Sequence, residues 1–171
     1  MRITIFLGGL MACPLSLAVG QTRTTAPTPE SFLAFVQKAG PDSALRAMPA
    51  GSRAWHVVLR HLEAADTTWY PVSAALVPKY DWSAEQMEEM GDAEITGLPK
   101  SPAAVFTWHL NHGWTSGKIA ASFCSGAPSS APDEAKFLQR VQAEVQKIDS
   151  PALAEVRQAC LDSLAGALMR N

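Results

Sequence analysis

The chain has 171 residues, a length for one domain, and its 47% hydrophobic and 18% charged residues are enough for a buried core. Its formal charge of -2, or -3 once Arg2 leaves with an export signal, gives no electrostatic ground for nucleic-acid binding and no acidic disordered tail. Within those bounds, the placement of prolines, tryptophans and cysteines organises the chain.

Met1 to Gly20 reads as a signal peptide. Arg2 precedes an apolar run from Ile3 through Val19, and Ala18-Val19-Gly20 puts small residues where a signal peptidase reads, with Gln21 as the new N-terminus. Gly8, Gly9 and Pro14 break the run, which is too short for a transmembrane span. Leu10-Met11-Ala12-Cys13 offers a second route, a lipid anchor on Cys13. Either route predicts a periplasmic or secreted protein. Cys124 and Cys160 then remain, and an even count in an oxidising compartment predicts one disulfide, with two reduced buried thiols as the alternative. Two cysteines so far apart do not make a zinc site.

Residues 21–28 form a polar, Thr-rich leader, and residues 29–171 are expected to be one helical domain. Thr28, Pro29 and Glu30 give a capped start, Phe32, Leu33, Phe35 and Val36 a stripe, and Gly40-Pro41 a stop. A short piece from Asp42 to Met48 ends at Pro49. The stretch from Ser52 to Trp108 holds four of the five tryptophans and reads as four short helices joined by proline-marked turns. Ser52 caps the first, with Trp55, Val58, Leu59 and Leu62 on one face. Thr67 or Thr68 caps the second, whose face is Trp69, Val72 and Leu76 and whose end is Pro78. Ser83 and Gln86 make a capping-box pattern for the third, which carries Met87, Met90 and Ile95 beside Glu85, Glu88, Glu89, Asp92 and Glu94 and ends at Gly97 and Pro99. Ser101-Pro102 opens the fourth, with Val105, Phe106 and Leu110 inward.

From Asn111 to Pro132 the periodicity is lost, and a long loop with a short extended piece at Ile119, Ala121 and Phe123 is expected. Pro132, Asp133 and Glu134 start a helix facing inward through Phe137, Leu138, Val141, Val145 and Ile148. Ser150-Pro151 opens the last, where Leu153, Val156, Cys160, Leu164 and Leu168 share a stripe. The fold class is all-α, six to seven short helices stapled by Cys124–Cys160.

The order Ala54-Trp55, Val58-Leu59, Trp69, Leu76, Pro78 and Asp81, then an acidic helix, Pro102 and Val105, resembles a group of small uncharacterised exported bacterial helical proteins. That group also carries one cysteine after the block and one in the last helix. The likeness is one of packing and turn residues, and it brings no functional residues. Here Trp82 follows Asp81, where the group often has a small residue.

Each chemical candidate has a plainer reading beside it. On a continuing helix His109 and His112 share a face suited to a metal, but two ligands are too few, and a solvent-facing helix end explains them as well. His56 and His61 fall on different sides of their helix. Gly113 to Ile119 is one residue short of a phosphate loop and has Ile119 where Ser or Thr must hold magnesium. Ser116 and Ser125 lie in no G-x-S-x-G elbow. Glu85, Glu88 and Glu89 read as a solvated helix face rather than a glycosidase pair. Tyr80, Trp82 and Trp114, aromatics at turns, are candidates for contact with a protein partner. The expectation is an exported, non-catalytic binding protein without a cofactor, an inhibitor or immunity-type partner of an envelope enzyme or toxin. The alternative is a small, metal-dependent envelope enzyme using the His109/His112 loop.

Overall fold

Proline and glycine punctuation sets most of the helix boundaries. A computed structural model describes residues 27–77 and 84–170 and shows an all-helical chain, with nine α-helices among the described residues. They are α1 (Pro29–Ala39), α2 (Pro41–Ala47), α3 (Arg53–Glu63), α4 (Tyr70–Ala75), α5 (Ala84–Gly97), α6 (Pro102–Asn111), α7 (Ser116–Phe123), α8 (Glu134–Gln146) and α9 (Ala154–Leu168). Single 3-10 turns lead into α4 and α9 and join α5 to α6. The count exceeds the expected six to seven chiefly because α7 occupies the stretch expected to be loop.

The stretch from Asn111 to Pro132 is therefore corrected. Thr115 caps α7 by accepting from the Lys118 amide at 3.2 Å, and Ile119, Ala120 and Phe123 bury one helical face while Ala121 stays exposed. The alternation at 119, 121 and 123 was a sampling of that helix and not a strand. A second correction concerns the start of α4. Asp66, not a threonine, caps the preceding turn, accepting from the Thr68 amide at 3.2 Å and from the Thr68 hydroxyl at 2.6 Å. Ser101 precedes α6 without a side-chain capping bond. The caps at Thr28, Ser52 and Asp133 are all present. The signal segment, the Pro78 stop, Asp81 and the Ser83 cap lie outside the described residues.

The helices pack as two groups around one core. In the first, α1 lies on α2 and α4, and α3 crosses α5. In the second, α9 lies between α7 and α8, and α6 reaches across to α8. Trp55, Trp69, Tyr70 and Phe106 are the largest side chains with essentially no exposure, and full burial of each stabilises by roughly 2–3 kcal/mol. At the α3–α5 crossing, Gly97 lets the two backbones approach; a Cβ there would stand 3.1 Å from the Ala65 nitrogen and 3.3 Å from the Glu63 carbonyl oxygen, and would overlap the Leu62 carbonyl. The acidic helix α5 also takes part in the core. Gln86 is buried and donates to the carbonyls of Leu45 (3.4 Å) and Met48 (2.8 Å) at the end of α2. Glu89 accepts from Trp55 Nε1 at 2.5 Å, so the expected solvated face holds for Glu85 and Glu88 but not for Glu89.

Cys124 and Cys160 form the expected disulfide, joining the end of α7 to the middle of α9 across a sequence separation of 36. Both half-cystines are fully buried. Closing a loop of that size restricts the unfolded chain and stabilises by roughly 3.5–4 kcal/mol on the chain-entropy model. No helix among the described residues is long and apolar enough to cross a membrane.

Candidate functional site

The end of α6 is where the chain places polar groups against the core. The helix stops in a glycine turn: Gly113 takes φ +82°, its amide donates to the Leu110 carbonyl at 3.1 Å, and the Trp114 amide donates to the His109 carbonyl at 3.0 Å. Only a residue tolerant of the left-handed region closes this motif cheaply, and its consequence is to fold Trp114 back over the helix it follows. The Trp114 ring packs on His109 (centroids 4.4 Å) and on Phe123 of α7 (6.0 Å), and Lys118 Nζ sits 3.9 Å over it. Trp114 is thus half-buried in the body of the protein instead of standing out from a loop as an exposed contact residue. Tyr80 and Trp82, its companions in that expectation, lie outside the described residues.

His109 is not at a solvent-facing helix end. It is only 3% exposed, enclosed by Trp114, Phe123 (4.8 Å), Trp108 (5.0 Å) and Tyr70 (5.8 Å). Neither ring nitrogen has a hydrogen-bond partner within the protein. Glu94 on α5 faces the ring, with Oε2 3.7 Å from His109 Nε2 and a side chain 13% exposed. Glu94 Oε1 accepts from Ser73 Oγ of α4 at 2.8 Å, and the same hydroxyl also lies 3.1 Å from the Tyr70 carbonyl. Three helices therefore each contribute one polar group, Ser73, Glu94 and His109, to a common floor.

Above that floor is a cavity of about 470 Å³, walled by Ala74 and Val77 of the α4 end, Met87 and Met90 of α5, and Trp108 and Trp114. Burial sets the charge state. It pushes the Glu94 carboxyl up to about 7, against the lowering effect of the Ser73 hydrogen bond. It holds His109 down to about 4, with the positive charges of His112 and Lys118 acting in the same sense. Tyr70, buried beside them with its hydroxyl unpartnered within the protein, is raised by burial, then by the Glu94 and Asp66 charges. Burial thus favours a neutral Glu94–His109 pair over an ion pair.

The remaining candidates fall elsewhere. His112 is exposed, stacks on Trp108 at 4.0 Å and has Nδ1 2.7 Å from the Trp108 carbonyl, so it and His109 do not converge on one point as metal ligands would. Among the described residues no group of three or more His, Cys, Asp or Glu is arranged to hold a metal ion. His61 stacks on Trp69 at 4.3 Å and bonds Asp66 at 3.0 Å, while His56 is exposed. Ser116 is buried in the first turn of α7, and Ser125 hands its hydroxyl to the Ala121 carbonyl. A larger hollow of about 690 Å³ lies between the end of α5 and α8, but Lys136 and Arg140 on its wall are solvated and it encloses no buried polar group.

Sequence reasoning missed Glu94 and Ser73, although a signal existed. Met87, Met90 and Glu94 fall at i, i+3 and i+7, which places an acid on the apolar stripe of α5. Ser73 likewise follows Val72 between Trp69 and Leu76 on the buried side of α4. The tryptophan-rich stretch from Ser52 to Trp108 therefore supplies two of the three floor residues, Ser73 and Glu94, and most of the wall. No protein-family model, no curated protein and no solved structure matches this chain, so the Ser73–Glu94–His109 floor stands as its own guide to function.

Proposed function

We propose that this is an exported, non-catalytic binding protein whose binding site is the cavity floored by Glu94 and His109. The observation that supports it is the pairing of apolar walls with His109, buried with neither ring nitrogen hydrogen-bonded, and with Glu94, 13% exposed and bonded through one oxygen to Ser73. Buried polar atoms are costly without partners, and a guest with an apolar body and a polar end would relieve that cost. The buried disulfide fits an oxidising compartment outside the cytoplasm. An envelope partner presenting such a group from its surface is the inhibitor or immunity-type role in its most concrete form. The test is fragment binding followed at the Met87 and Met90 methyl groups by NMR. Shifts concentrated on these two methyls and on the Trp108 and Trp114 indoles are expected; fragments that bind only at the α5–α8 hollow would remove the reading.

One observation favours a second reading. A carboxyl held near neutrality beside an imidazole is the usual state of a general acid or base. The Ser73 hydroxyl, however, bonds the carboxylate and not the imidazole, so the trio does not have the order of a serine-hydrolase relay. A Glu94-dependent turnover of any ester, amide or glycoside substrate by the purified mature protein would replace binding with catalysis.

A further inference from the structure

We propose that the group recognised in this cavity is a primary alkylammonium, its nitrogen seated between the Glu94 carboxylate and the His109 ring, its alkyl stem along Met87 and Met90. This rests on the binding reading above and names the chemistry of the guest. The geometry carries it. Glu94 Oε2 and His109 Nε2 are 3.7 Å apart, too far to hydrogen-bond each other. A single nitrogen placed about 2.8 Å from each spans that gap with two normal bonds. An ammonium carries three donors and no acceptor, and this floor supplies acceptors: the Glu94 oxygens, a neutral imidazole nitrogen and the Ser73 oxygen.

Charge points the same way. Glu94 is the one acid on the cavity wall, and its only ion-pair contact among the described residues is His109, which burial keeps neutral. A buried carboxylate without a cation is an expensive arrangement that a cationic guest converts into a charge-assisted pair. The groups facing this point are Ser73 and the Tyr70 phenol from α4, Glu94 from α5, and His109 and His112 from the end of α6. Lys118 from α7 reaches the site only through the Trp114 ring it covers. A carboxylate guest would instead meet Glu94 directly, with no lysine or arginine on the wall and His112 the one basic side chain beside His109.

Binding is then linked to deprotonation of Glu94. An alkylammonium that needs the carboxylate gains about tenfold in affinity per pH unit as pH rises toward 7 and levels off above it. The experiment is calorimetric titration of the full mature protein at pH 5, 6, 7 and 8 with n-pentylamine, the isosteric n-pentanol, and n-pentanoate. Nα-acetyl-lysinamide, presenting the same ammonium as a protein side chain would, is the fourth probe. The expected order at pH 8 is pentylamine at least about tenfold tighter than pentanol, with pentanoate weakest. Lysinamide equal to pentylamine would assign the guest to a partner's lysine, and lysinamide much weaker would assign it to a free amine. The E94Q variant is expected to lose both the preference for the amine over pentanol and its pH dependence, and an unchanged circular dichroism spectrum and melting profile at pH 5 certify its fold. Pentanol binding at the cavity with no preference for the amine, or with pentanoate preferred, overturns the ammonium assignment and leaves the cavity standing. Failure of all four probes overturns both.

Discussion

Glu94 and His109 make opposite demands on stability as pH changes, and replacing either one should expose the other. Glu94 has its folded value raised to about 7 from 4.5. Between those values the folded state holds a proton that the unfolded state has released. Its contribution is therefore fully present below pH 4.5 and is lost as pH rises through 7. At 1.36 kcal/mol per unit the loss is about 3 kcal/mol. His109 has its folded value depressed to about 4 from 6.5, so its contribution is full above pH 6.5 and is lost as pH falls through 4. That loss is set at about 2 kcal/mol, below the full shift, because part of the depression comes from His112 and Lys118, exposed groups whose fields the solvent screens.

Over pH 4.5–6.5 the two slopes oppose and largely cancel, and they do so whether the proton resides on Glu94 or on His109. Urea unfolding followed by tryptophan fluorescence at half-unit steps from pH 4 to 8 reads the effect as variant minus wild type, which cancels the remaining titrating groups. The stability of E94Q relative to wild type should climb by about 3 kcal/mol between pH 4.5 and 7. The relative stability of H109Q should fall by about 2 kcal/mol between pH 4 and 6.5. Differences that are flat with pH, or that share one sign of slope, would refute the account of the buried pair.

Three further outcomes test the fold. Gly97→Ala should destabilise by about 3 kcal/mol in the same assay, because the added methyl meets the Leu62 carbonyl and the Ala65 amide, backbone atoms that cannot rotate away; a change under about 0.5 kcal/mol would mean that α3 and α5 separate easily. Gln86→Leu should cost about 1–3 kcal/mol by taking the side-chain donor from the Met48 carbonyl, while the Leu45 carbonyl keeps the Met48 amide, measured by thermal melting, and a neutral result would mean water replaces the Gln86 amide. Replacing Cys124 and Cys160 together with alanine should lower unfolding free energy by roughly 3.5–4 kcal/mol, and an unchanged denaturation midpoint would show that the loop is already restrained in the unfolded chain.

Where the sequence was legible, local physics was sufficient. A capping side chain, a proline at or near the helix start and an apolar stripe are properties of a few adjacent residues, and such signals place the starts of α1, α3 and α8 within a residue or two and that of α9 within the single 3-10 turn that leads into it. The pairing of Cys124 with Cys160 followed from their count and an expected export, and the disulfide is present. Local signals failed where two readings share one pattern. Ile119-Ala-Ala-Ser-Phe123 serves as alternation or as a helix turn, and the Thr115 cap bound into α7 decides for the helix. Asp66 outcompeted Thr67 and Thr68 because it bonds both the Thr68 amide and His61.

By itself, then, the sequence determined an all-helical, disulfide-closed body and most of its helix boundaries, because those follow from contacts a few residues apart. Only the tertiary structure decided which polar residues became buried. Glu94 is one of five acids on its helix and His109 one of two histidines at the end of another. Whether a charge is solvated depends on what crosses above it, and here α4, the glycine turn at Gly113 and the returning Trp114 close over both. Separated by fifteen positions in the chain, they meet across 3.7 Å because three helices converge there, and no local pattern contains that distance.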